Sequence, residues 1–355
     1  MTIPVTKPYL PERKKLDAYI DKIYDSNWLT NNGPLVQEFE NRLAQYLGVK
    51  YILPVVNGTL ALQVAYKVLD LKGEVITTPF SFVATTSSLM WEGLKPVFAD
   101  IDPETFNIDP KEIEKKITSK TSAILPVHVF GNPCDVKEIE RIADKNNLKV
   151  IYDAAHAFGV KKDGNSILNY GDISVLSFHA TKLFHTIEGG ALIFKDRSLY
   201  EKAKAMINFG FENGAIKELG INAKMNEFQA AMGLCVLDDV DKILQNRKEV
   251  FNYYYENLKD IVQFQKFDPE SYNYSYVPVL FENEEELLKV EQRLNENNIF
   301  PRRYFHPTLN TLCFLEDKQH CQNSEDVSRR VLCLPVYYKV CVPKIIELVT
   351  MFEEN

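Results

Sequence analysis

Three short stretches of the sequence place residues that can do chemistry beside apolar, strand-like runs. A turn at Gly58 and Thr59 separates one run from an apolar helix, and Asp153 and Lys182 follow two later runs. The N-terminal end of a helix offers backbone N–H groups to a phosphate. A carboxylate at a buried strand end needs a cationic or hydrogen-bonding partner, and desolvation turns a lysine amine into a nucleophile for carbonyl groups.

Each stretch also fits an ordinary structural role when it is taken alone. The turn could be a simple connection, since it lacks the G-x-x-x-x-G-K-[ST] and G-x-G-x-x-G patterns. Asp153 could cap the next helix, and Lys182 could be a solvated loop lysine. Their order is more specific. A phosphate turn, a strand-end acid and a lysine 29 residues later supply what pyridoxal phosphate (PLP) needs for its phosphate, pyridine nitrogen and aldehyde.

The elements that must position these residues can be read from the apolar runs. Residues 51–56, 74–78, 96–101, 122–129, 149–152, 173–178 and 191–194 are predicted strands. Most of them are almost continuously apolar, which is typical of strands buried on both faces under crossover helices. Apolar residues recur every four positions after Gly33-Pro34, which predicts a helix there. We therefore expect an α/β fold with a mostly parallel central sheet.

The residue composition and the apolar pattern of the sequence change in its last third. Residues 223–250 are predicted to be helical throughout, and residues 246–355 are richer in charged and aromatic side chains. A strand at 277–281, a helix at 284–297 and a final helix from Pro343 suggest a smaller α+β domain. We expect a large cofactor-binding domain over 1–245, including an N-terminal segment 1–30, and a small C-terminal domain over 246–355.

Composition narrows the possible partners. The chain has 355 residues and a net charge of −8 without long single-sign runs, so nucleic-acid binding is not expected. Its six cysteines form no C-x-x-C pair and have no histidines at zinc-finger spacing, so no metal site is predicted. No apolar stretch is long enough for a membrane span, and the N-terminus lacks the apolar region of a signal peptide. A cytoplasmic protein is expected.

The motifs in their order resemble the DegT/DnrJ/EryC1/StrS nucleotide-sugar aminotransferases nearly from end to end. The motifs that carry the resemblance are residues 28–34 (WLTNNGP), 57–62 (NGTLAL), 78–85 (TPFSFVAT), 126–131 (PVHVFG), 152–157 (YDAAHA), 177–182 (SFHATK), 188–190 (EGG) and 220–227 (GINAKMNE). The resemblance implies the aspartate aminotransferase-like fold, PLP fold type I. Relatives that act as dehydratases carry histidine at the position of Lys182, so the lysine favours transamination.

The resemblance also assigns roles around the cofactor ring. Lys182 would bind the PLP aldehyde covalently and move the proton, and Asp153 would pair with the pyridinium nitrogen. His156 would lie near the ring, at its phenolic oxygen, and Phe82 would stack on the ring face. Phe82 could instead be a core residue, and His156 could be a buried histidine with satisfied hydrogen bonds.

Phosphate binding is assigned to both subunits of a homodimer. By the resemblance, Gly58, Thr59 and Ser177 would hold the phosphate within one subunit. Asn222 matches the position that reaches the phosphate from the neighbouring subunit, which would make the active site a property of the dimer. The alternative for Asn222 is a cap on the following helix.

The substrates follow from the subgroup that the chain resembles. Within the family, C-4 enzymes more often carry Ser-Phe-His before the lysine, as residues 177–179 do. With residues 29–34, this implies transfer of the amino group of L-glutamate to C-4 of dTDP-4-keto-6-deoxy-D-glucose, for O-antigen and lipopolysaccharide sugars. The segment 302–307 (RRYFHP), and Arg303 and His306 within it, are candidates for the sugar diphosphate or the glutamate carboxylate, and Thr30 is a candidate near the sugar.

Alternatives stay open at this point. The arginines could be solvated surface residues, and the acceptor could be a C-3 keto sugar or a UDP- or GDP-linked one. An ordinary amino-acid aminotransferase would use a second 2-oxo acid and no nucleotide. A non-catalytic sensor with the same fold would bind a small molecule without turnover.

Overall fold

The computed structural model describes residues 2–351. Its α-helices are α1 (Arg13–Ser26), α2 (Pro34–Leu47), α3 (Gly58–Val68), α4 (Val83–Trp91), α5 (Pro110–Lys116), α6 (Val136–Asn146), α7 (Arg197–Met206), α8 (Glu227–Leu237), α9 (Val240–Leu258), α10 (Glu284–Glu296), α11 (Gln322–Arg330) and α12 (Pro343–Thr350). Its strands are β1 (Ile3–Pro4), β2 (Ile52–Val55), β3 (Glu74–Thr77), β4 (Lys95–Phe98), β5 (Thr121–Leu125), β6 (Lys149–Asp153), β7 (Lys161–Lys162), β8 (Asn165–Ser166), β9 (Ile173–Ser177), β10 (Gly190–Phe194), β11 (Phe211–Glu212), β12 (Ala215–Ile216), β13 (Gln263–Phe264), β14 (Val277–Leu280), β15 (Ile299–Phe300) and β16 (Val331–Leu334).

A seven-stranded sheet forms the centre of the molecule, in the order β2-β10-β9-β6-β5-β3-β4. The pairs from β9 to β4 are parallel, and β10 alone runs antiparallel to both of its neighbours. Each of the seven apolar runs therefore forms a strand of one mostly parallel sheet, as predicted. Because β10 is antiparallel to both β2 and β9, these two strands run in the same direction and end at the same edge of the sheet.

Both faces of this sheet are covered by helices. On β5, Ile124 belongs to a core formed with α2, α6 and α8, whereas its neighbours Ala123 and Leu125 belong to a core formed with α3 and α7. This alternation explains why the run is apolar at nearly every position. It confirms the expectation of an α/β architecture with crossover helices on both sides.

Helix α2 begins at the predicted place. Pro34 is its first residue, and the four-residue stripe Leu35, Phe39, Leu43 and Leu47 is buried. The buried carboxylate of Glu227 accepts hydrogen bonds from the backbone N–H groups of Leu35 (2.8 Å) and Val36 (3.0 Å). Two N–H groups of the first turn therefore find their hydrogen-bond acceptor on α8, which is distant in the sequence. No residue near Pro34 indicates this contact.

The prediction of one helix over 223–250 is wrong. Asn226 caps α8 through a reciprocal hydrogen-bond pair with Gln229, so the helix starts only at Glu227. A break at residues 238–239 then separates α8 from α9. The Asp239 carboxylate accepts hydrogen bonds from Tyr9 Oη (2.9 Å) and Lys15 Nζ (3.1 Å). These contacts with the N-terminal segment hold Asp239 in a non-helical conformation and explain the break.

A second core lies in the C-terminal part, where α9, α10 and α12 pack on the antiparallel sheet β13-β14-β16. Helix α9 runs without interruption through residue 245. Its Ile243 lies in the core formed by the central sheet with α2, α6 and α8, and its Phe251 lies in the C-terminal core. Ile3 of the N-terminal segment pairs with Ile299 of β15. The division at 245 stays a proposal, and the two parts share a helix and a strand pair. No helix within residues 2–351 is long and apolar enough to cross a membrane.

Candidate active site

A cavity of about 310 Å³ lies at one edge of the central sheet, beside the ends of five strands. These are the carboxyl ends of β2, β3, β5, β6 and β9, and this edge is where open α/β sheets bind their ligands. Lys182 and six of the seven predicted cofactor residues line it: Gly58, Thr59, Phe82, Asp153, His156 and Ser177. Residues that are distant in sequence are thus brought together as predicted.

The end of the cavity formed by α3 is suited to a phosphate. Asn57 caps the helix, because its Oδ1 accepts a hydrogen bond from the backbone N–H of Leu60 (2.8 Å). Gly58 and Thr59 form the first turn, where N–H groups are free of helical partners. A Cβ atom on Gly58 would lie 3.1 Å from Cβ of Ser177. The glycine therefore lets the helix end and the Ser177 hydroxyl approach the same space.

Asp153 ends β6 and is 7% exposed. Its Oδ2 accepts a hydrogen bond from Thr85 Oγ1 (2.8 Å), and its Oδ1 accepts one from the backbone N–H of Ala155 (3.2 Å). Burial raises the pKa of this carboxyl, while the two hydrogen bonds and the charge of Lys182 oppose the rise. A desolvated carboxylate in this position is prepared to pair with a cationic ligand group.

His156 lies in the cavity wall between aromatic rings. Its ring centroid is 4.7 Å from that of Tyr276 and 5.9 Å from that of Phe305. Nδ1 accepts a hydrogen bond from the backbone N–H of Phe130 (3.2 Å), and burial lowers the pKa of the imidazole well below its usual range. The neutral ring therefore carries its proton on Nε2, which can donate a hydrogen bond.

Lys182 follows β9 in a loop that is closed by backbone hydrogen bonds from Phe178 N to Gly189 O (2.8 Å) and from Thr186 N to Phe178 O (3.0 Å). Its Nζ lies 3.4 Å from the hydroxyl of Tyr276. Burial lowers the pKa of the amine, and the nearby charge of Asp153 opposes the shift. A lysine with a larger uncharged fraction is a better nucleophile and a better proton acceptor.

Phe82 is the capping residue of α4 and is 53% exposed. Phe80, two residues earlier, is fully buried among other aromatic rings. The exposed ring faces the cavity, so Phe82 is not a core residue. A flat ring face is therefore accessible in the cavity, and its stacking on a ligand ring stays a prediction.

Four predicted site residues lie outside the cavity lining. Asn222 is exposed and pairs with Asn208 in an isolated bridge, and Thr30 is exposed in the loop before α2. Arg303 binds the Glu284 carboxylate (2.5 Å) and the backbone carbonyl of Arg329 (3.0 Å). His306 Nδ1 lies 3.2 Å from Ser328 Oγ. The functions assigned to these four residues remain predictions.

Sequence reasoning missed several cavity residues. Tyr276 and Ser81 line the cavity and were not predicted, whereas Arg302, Tyr304 and Phe305 lie in the predicted segment 302–307 but were not singled out within it. Arg302 stands beside the predicted Arg303, and the sequence offers no signal to distinguish them. Tyr276 lies in an aromatic-rich run whose other tyrosines are buried away from the cavity, so no local pattern singles it out.

The residues of this cavity fit PLP. A helix end and a hydroxyl can take its phosphate, a buried carboxylate can take its pyridinium nitrogen, and a lysine amine can take its aldehyde. The close backbone approach at this end also requires glycine, because a Cβ on Gly190 would lie 2.8 Å from the backbone of Asn57. Among residues 2–351, no cluster of histidine, cysteine, aspartate and glutamate could hold a metal ion.

This fold and this group of residues define an aspartate aminotransferase-like enzyme of PLP fold type I. Residues 11–353 match the DegT/DnrJ/EryC1/StrS aminotransferase family, and the chain belongs to that family of PLP-dependent sugar aminotransferases.

Similar proteins agree with this assignment. A transaminase of Shigella dysenteriae named dTDP-4-amino-4,6-dideoxy-D-glucose transaminase is 45% identical over 342 residues, which are 94% of this chain and 93% of that protein. The structure of DesI in the presence of its TDP-sugar product is 36% identical, with a TM-score of 0.92, over 98% of this chain and 91% of that chain. The structure of NtdA from Bacillus subtilis with bound cofactor PMP is 26% identical, with a TM-score of 0.88, over 98% of this chain and 86% of that chain.

Proposed function

We propose that the protein transfers the amino group of L-glutamate to C-4 of dTDP-4-keto-6-deoxy-D-glucose and forms dTDP-4-amino-4,6-dideoxy-D-glucose for O-antigen or lipopolysaccharide synthesis in the cytoplasm. The observation that carries the proposal is the joint placement of Lys182 and Asp153 in one cavity of a chain 45% identical to the Shigella transaminase of that name. When bound, PLP supplies an electron sink for the carbon that carries the amino group.

The side chains of the cavity would divide the work of the reaction. Lys182 Nζ, with its lowered pKa, would accept the proton from Cα of glutamate and return a proton in the second half-reaction. Asp153 would hold a proton on the pyridine nitrogen. His156 Nε2 would donate to the phenolic oxygen of the ring, and Phe82 would cover one ring face.

Phosphate binding would involve two subunits. Gly58, Thr59 and Ser177 would bind it from one subunit, and Asn222 would reach it from the other.

Exposed apolar side chains support a homodimer, and they lie on segments that contact one another: the backbone N–H of Glu227 donates to Leu29 O (3.0 Å), and that of Phe209 donates to Ile221 O (3.1 Å). The exposed apolar residues are Trp28, Leu29, Phe209, Phe211, Ile216, Leu219, Ile221 and Phe228. Large exposed apolar side chains in this number are typical of an interface, and a second copy of the chain is the expected partner.

Subunit mixing tests the shared site. Lys182→Ala and Asn222→Ala are each expected to have low activity at limiting PLP. In a mixed dimer, one site combines the intact Lys182 with the intact Asn222. Random mixing in equal amounts then gives about a quarter of the wild-type activity. If Asn222 acts within its own subunit, the mixture shows only the mean of the two single variants.

The amino donor also needs a cation for its carboxylate. Arg302 lines the cavity, its guanidinium lies 5.0 Å from the centre of the Tyr304 ring, and its backbone pairs with Cys333 in both directions (3.1 and 2.8 Å). Within the described chain, no carboxylate lies within 4 Å of this guanidinium, whereas Arg303 is paired with Glu284. We therefore favour Arg302 over Arg303 for the α-carboxylate, which is bonded to the same Cα that must meet Lys182.

Replacement of the two arginines distinguishes them. Arg302→Gln is expected to raise the KM for glutamate by about 10- to 100-fold, which corresponds to the loss of a charge-assisted hydrogen-bond pair. The KM for the sugar nucleotide should stay within about twofold. Arg303→Gln is the matched control and should leave the glutamate KM nearly unchanged. A large effect of Arg303→Gln alone would restore the original prediction for that residue.

The acceptor is tested by turnover with a panel of keto sugars linked to dTDP, UDP or GDP, and NMR locates the new amine. Formation of a 4-amino-6-deoxy sugar only from the dTDP substrate supports the proposal. Turnover of a C-3 keto sugar or of another nucleotide would retain the aminotransferase and replace its substrate. Turnover of a second 2-oxo acid would indicate an amino-acid aminotransferase, and no turnover with any acceptor would indicate a sensor.

A further inference from the structure

Two buried hydroxyl groups lead from the cavity to the carboxylate of Asp153. Ser81 Oγ lies 2.8 Å from Thr85 Oγ1, and Thr85 Oγ1 lies 2.8 Å from Asp153 Oδ2. Ser81 is 2% exposed and lines the cavity, and Thr85 is fully buried. Neither residue has a place in the reaction described above.

The chemistry of these groups fixes the direction of the hydrogen bonds. An ionised carboxylate can only accept, so the single hydroxyl proton of Thr85 must point at Asp153. The proton between Thr85 and Ser81 must then come from Ser81. The result is an ordered relay in which each hydroxyl donates toward the carboxylate, and hydrogen bonds to a charged acceptor are stronger than those between neutral groups.

We propose that Thr85 and Ser81 are positioning residues that hold Asp153 ionised and oriented toward the pyridine nitrogen of PLP. The proposal rests on the role of Asp153 in the proposed function. The first turn of α4 then fixes two sides of the cofactor at once, because Phe82 caps the helix at the ring face and Thr85, one turn later, holds the carboxylate. A shift of this turn would move both groups together.

Other charged or titratable groups also surround Asp153, and the effect of the two hydroxyls on its ionisation must be distinguished from theirs. Lys182 approaches from the loop after β9 and favours the ionised carboxylate. Tyr66 on α3 and Tyr276, the residue before β14, interact with its charge, and burial raises the pKa of both phenols, so they remain neutral near pH 7. His156 follows on the same loop and is neutral because burial lowers its pKa. Among the described residues, Thr85 donates the single side-chain hydrogen bond to Asp153, and its removal changes no charge.

The test is PLP affinity as a function of pH for Thr85→Val and for the matched control Thr86→Val. Thr86 is the next residue of α4 and is also fully buried, but its Oγ1 has no hydrogen-bond partner among the described residues. Thr85→Val is expected to raise the pKa of Asp153, so that PLP binding weakens at a pH about one unit higher than in the wild type. Thr86→Val should follow the wild-type curve, and Ser81→Ala should show a smaller shift in the same direction.

Two further variants make the outcome decisive. Thr85→Ser retains a hydroxyl and should return the curve toward the wild type, which also covers the case in which Thr85→Val folds poorly. In the Asp153→Asn background, Thr85→Val should add little to the loss of PLP affinity. Equal curves for Thr85→Val and Thr86→Val, or additive losses with Asp153→Asn, would overturn the relay. An unchanged PLP affinity in Asp153→Asn itself would instead remove the proposed role of Asp153.

Discussion

Replacing Lys182 by alanine is expected to lower kcat by at least about 10³-fold and to abolish covalent attachment of PLP. The amine lies in the cavity near Asp153, and its lowered pKa makes it the cavity group best suited to accept a proton from carbon. No other lysine lines the cavity in the described part of the chain. The loss should therefore not be compensated by a neighbour.

Borohydride reduction followed by mass spectrometry measures the attachment. The wild type should carry the added PLP mass on the peptide that contains Lys182, and the variant should carry none. Lys202→Ala serves as a control, since Lys202 is also ordered but bonds to Asp70 and to the backbone carbonyl of Val68, away from the cavity. A Lys182→Ala protein with wild-type turnover would refute the assignment.

The expected retention of the fold in that variant has a structural reason. The Lys182 loop is held by its backbone and by Gln229, whose Nε2 donates to the carbonyls of Glu188 (2.6 Å) and Val56 (3.3 Å). The lysine side chain itself contributes only the contact with Tyr276 among the hydrogen bonds of the described residues. Circular dichroism and thermal unfolding of the variant should accordingly stay close to the wild type.

The sheet was predictable from the sequence because burial on both faces leaves a local signature. Ile124, Ala123 and Leu125 pack into two different cores, so the run is apolar at nearly every position, and a run of this kind can be recognised without knowledge of its neighbours in the sheet. The break between α8 and α9 had no such signature. It depends on Asp239 meeting Tyr9 and Lys15, which lie more than 200 residues earlier.

The same distinction applies to the cavity. Lys182 and Asp153 could be predicted because strand ends place residues at a known edge of a parallel sheet. Tyr276 and the Thr85 hydroxyl could not be predicted, and Arg302 could not be distinguished from Arg303, because their positions depend on how the C-terminal part and α4 pack against that edge. The two adjacent arginines differ in their surroundings: Arg303 is paired with Glu284, which lies 19 residues away in the sequence, whereas Arg302 lines the cavity.

Replacing Asp153 by asparagine is expected to lower kcat/KM by about 10²- to 10³-fold, since breaking a buried charge pair costs a few kcal/mol. The amide has nearly the shape of the carboxyl but cannot neutralise a pyridinium. Its oxygen can still accept from the Ala155 N–H, and its NH₂ group can donate to Thr85 Oγ1 if that hydroxyl turns toward Ser81. The variant should therefore fold normally and lose function through charge alone.

Without the cofactor, the same substitution is expected to stabilise the fold at pH 7, although it lowers activity. Burial raises the pKa of Asp153 in the folded chain, so the folded state binds a proton more tightly than the unfolded state does. Stability then falls as the pH rises from the unfolded pKa through the folded one, and at pH 7 the ionised carboxylate destabilises the empty fold.

Thermal unfolding across the pH range tests this sign. Without PLP, Asp153→Asn should have a Tm equal to or above the wild type at pH 7, and the difference should shrink as the pH falls through the raised pKa of Asp153. With saturating PLP the order should reverse, because the wild type gains more from a ligand that it binds more tightly. A lower Tm of the cofactor-free variant at pH 7 would mean that the carboxylate supports the fold itself. The reversal would show that a destabilising charge is kept at this strand end for the cofactor.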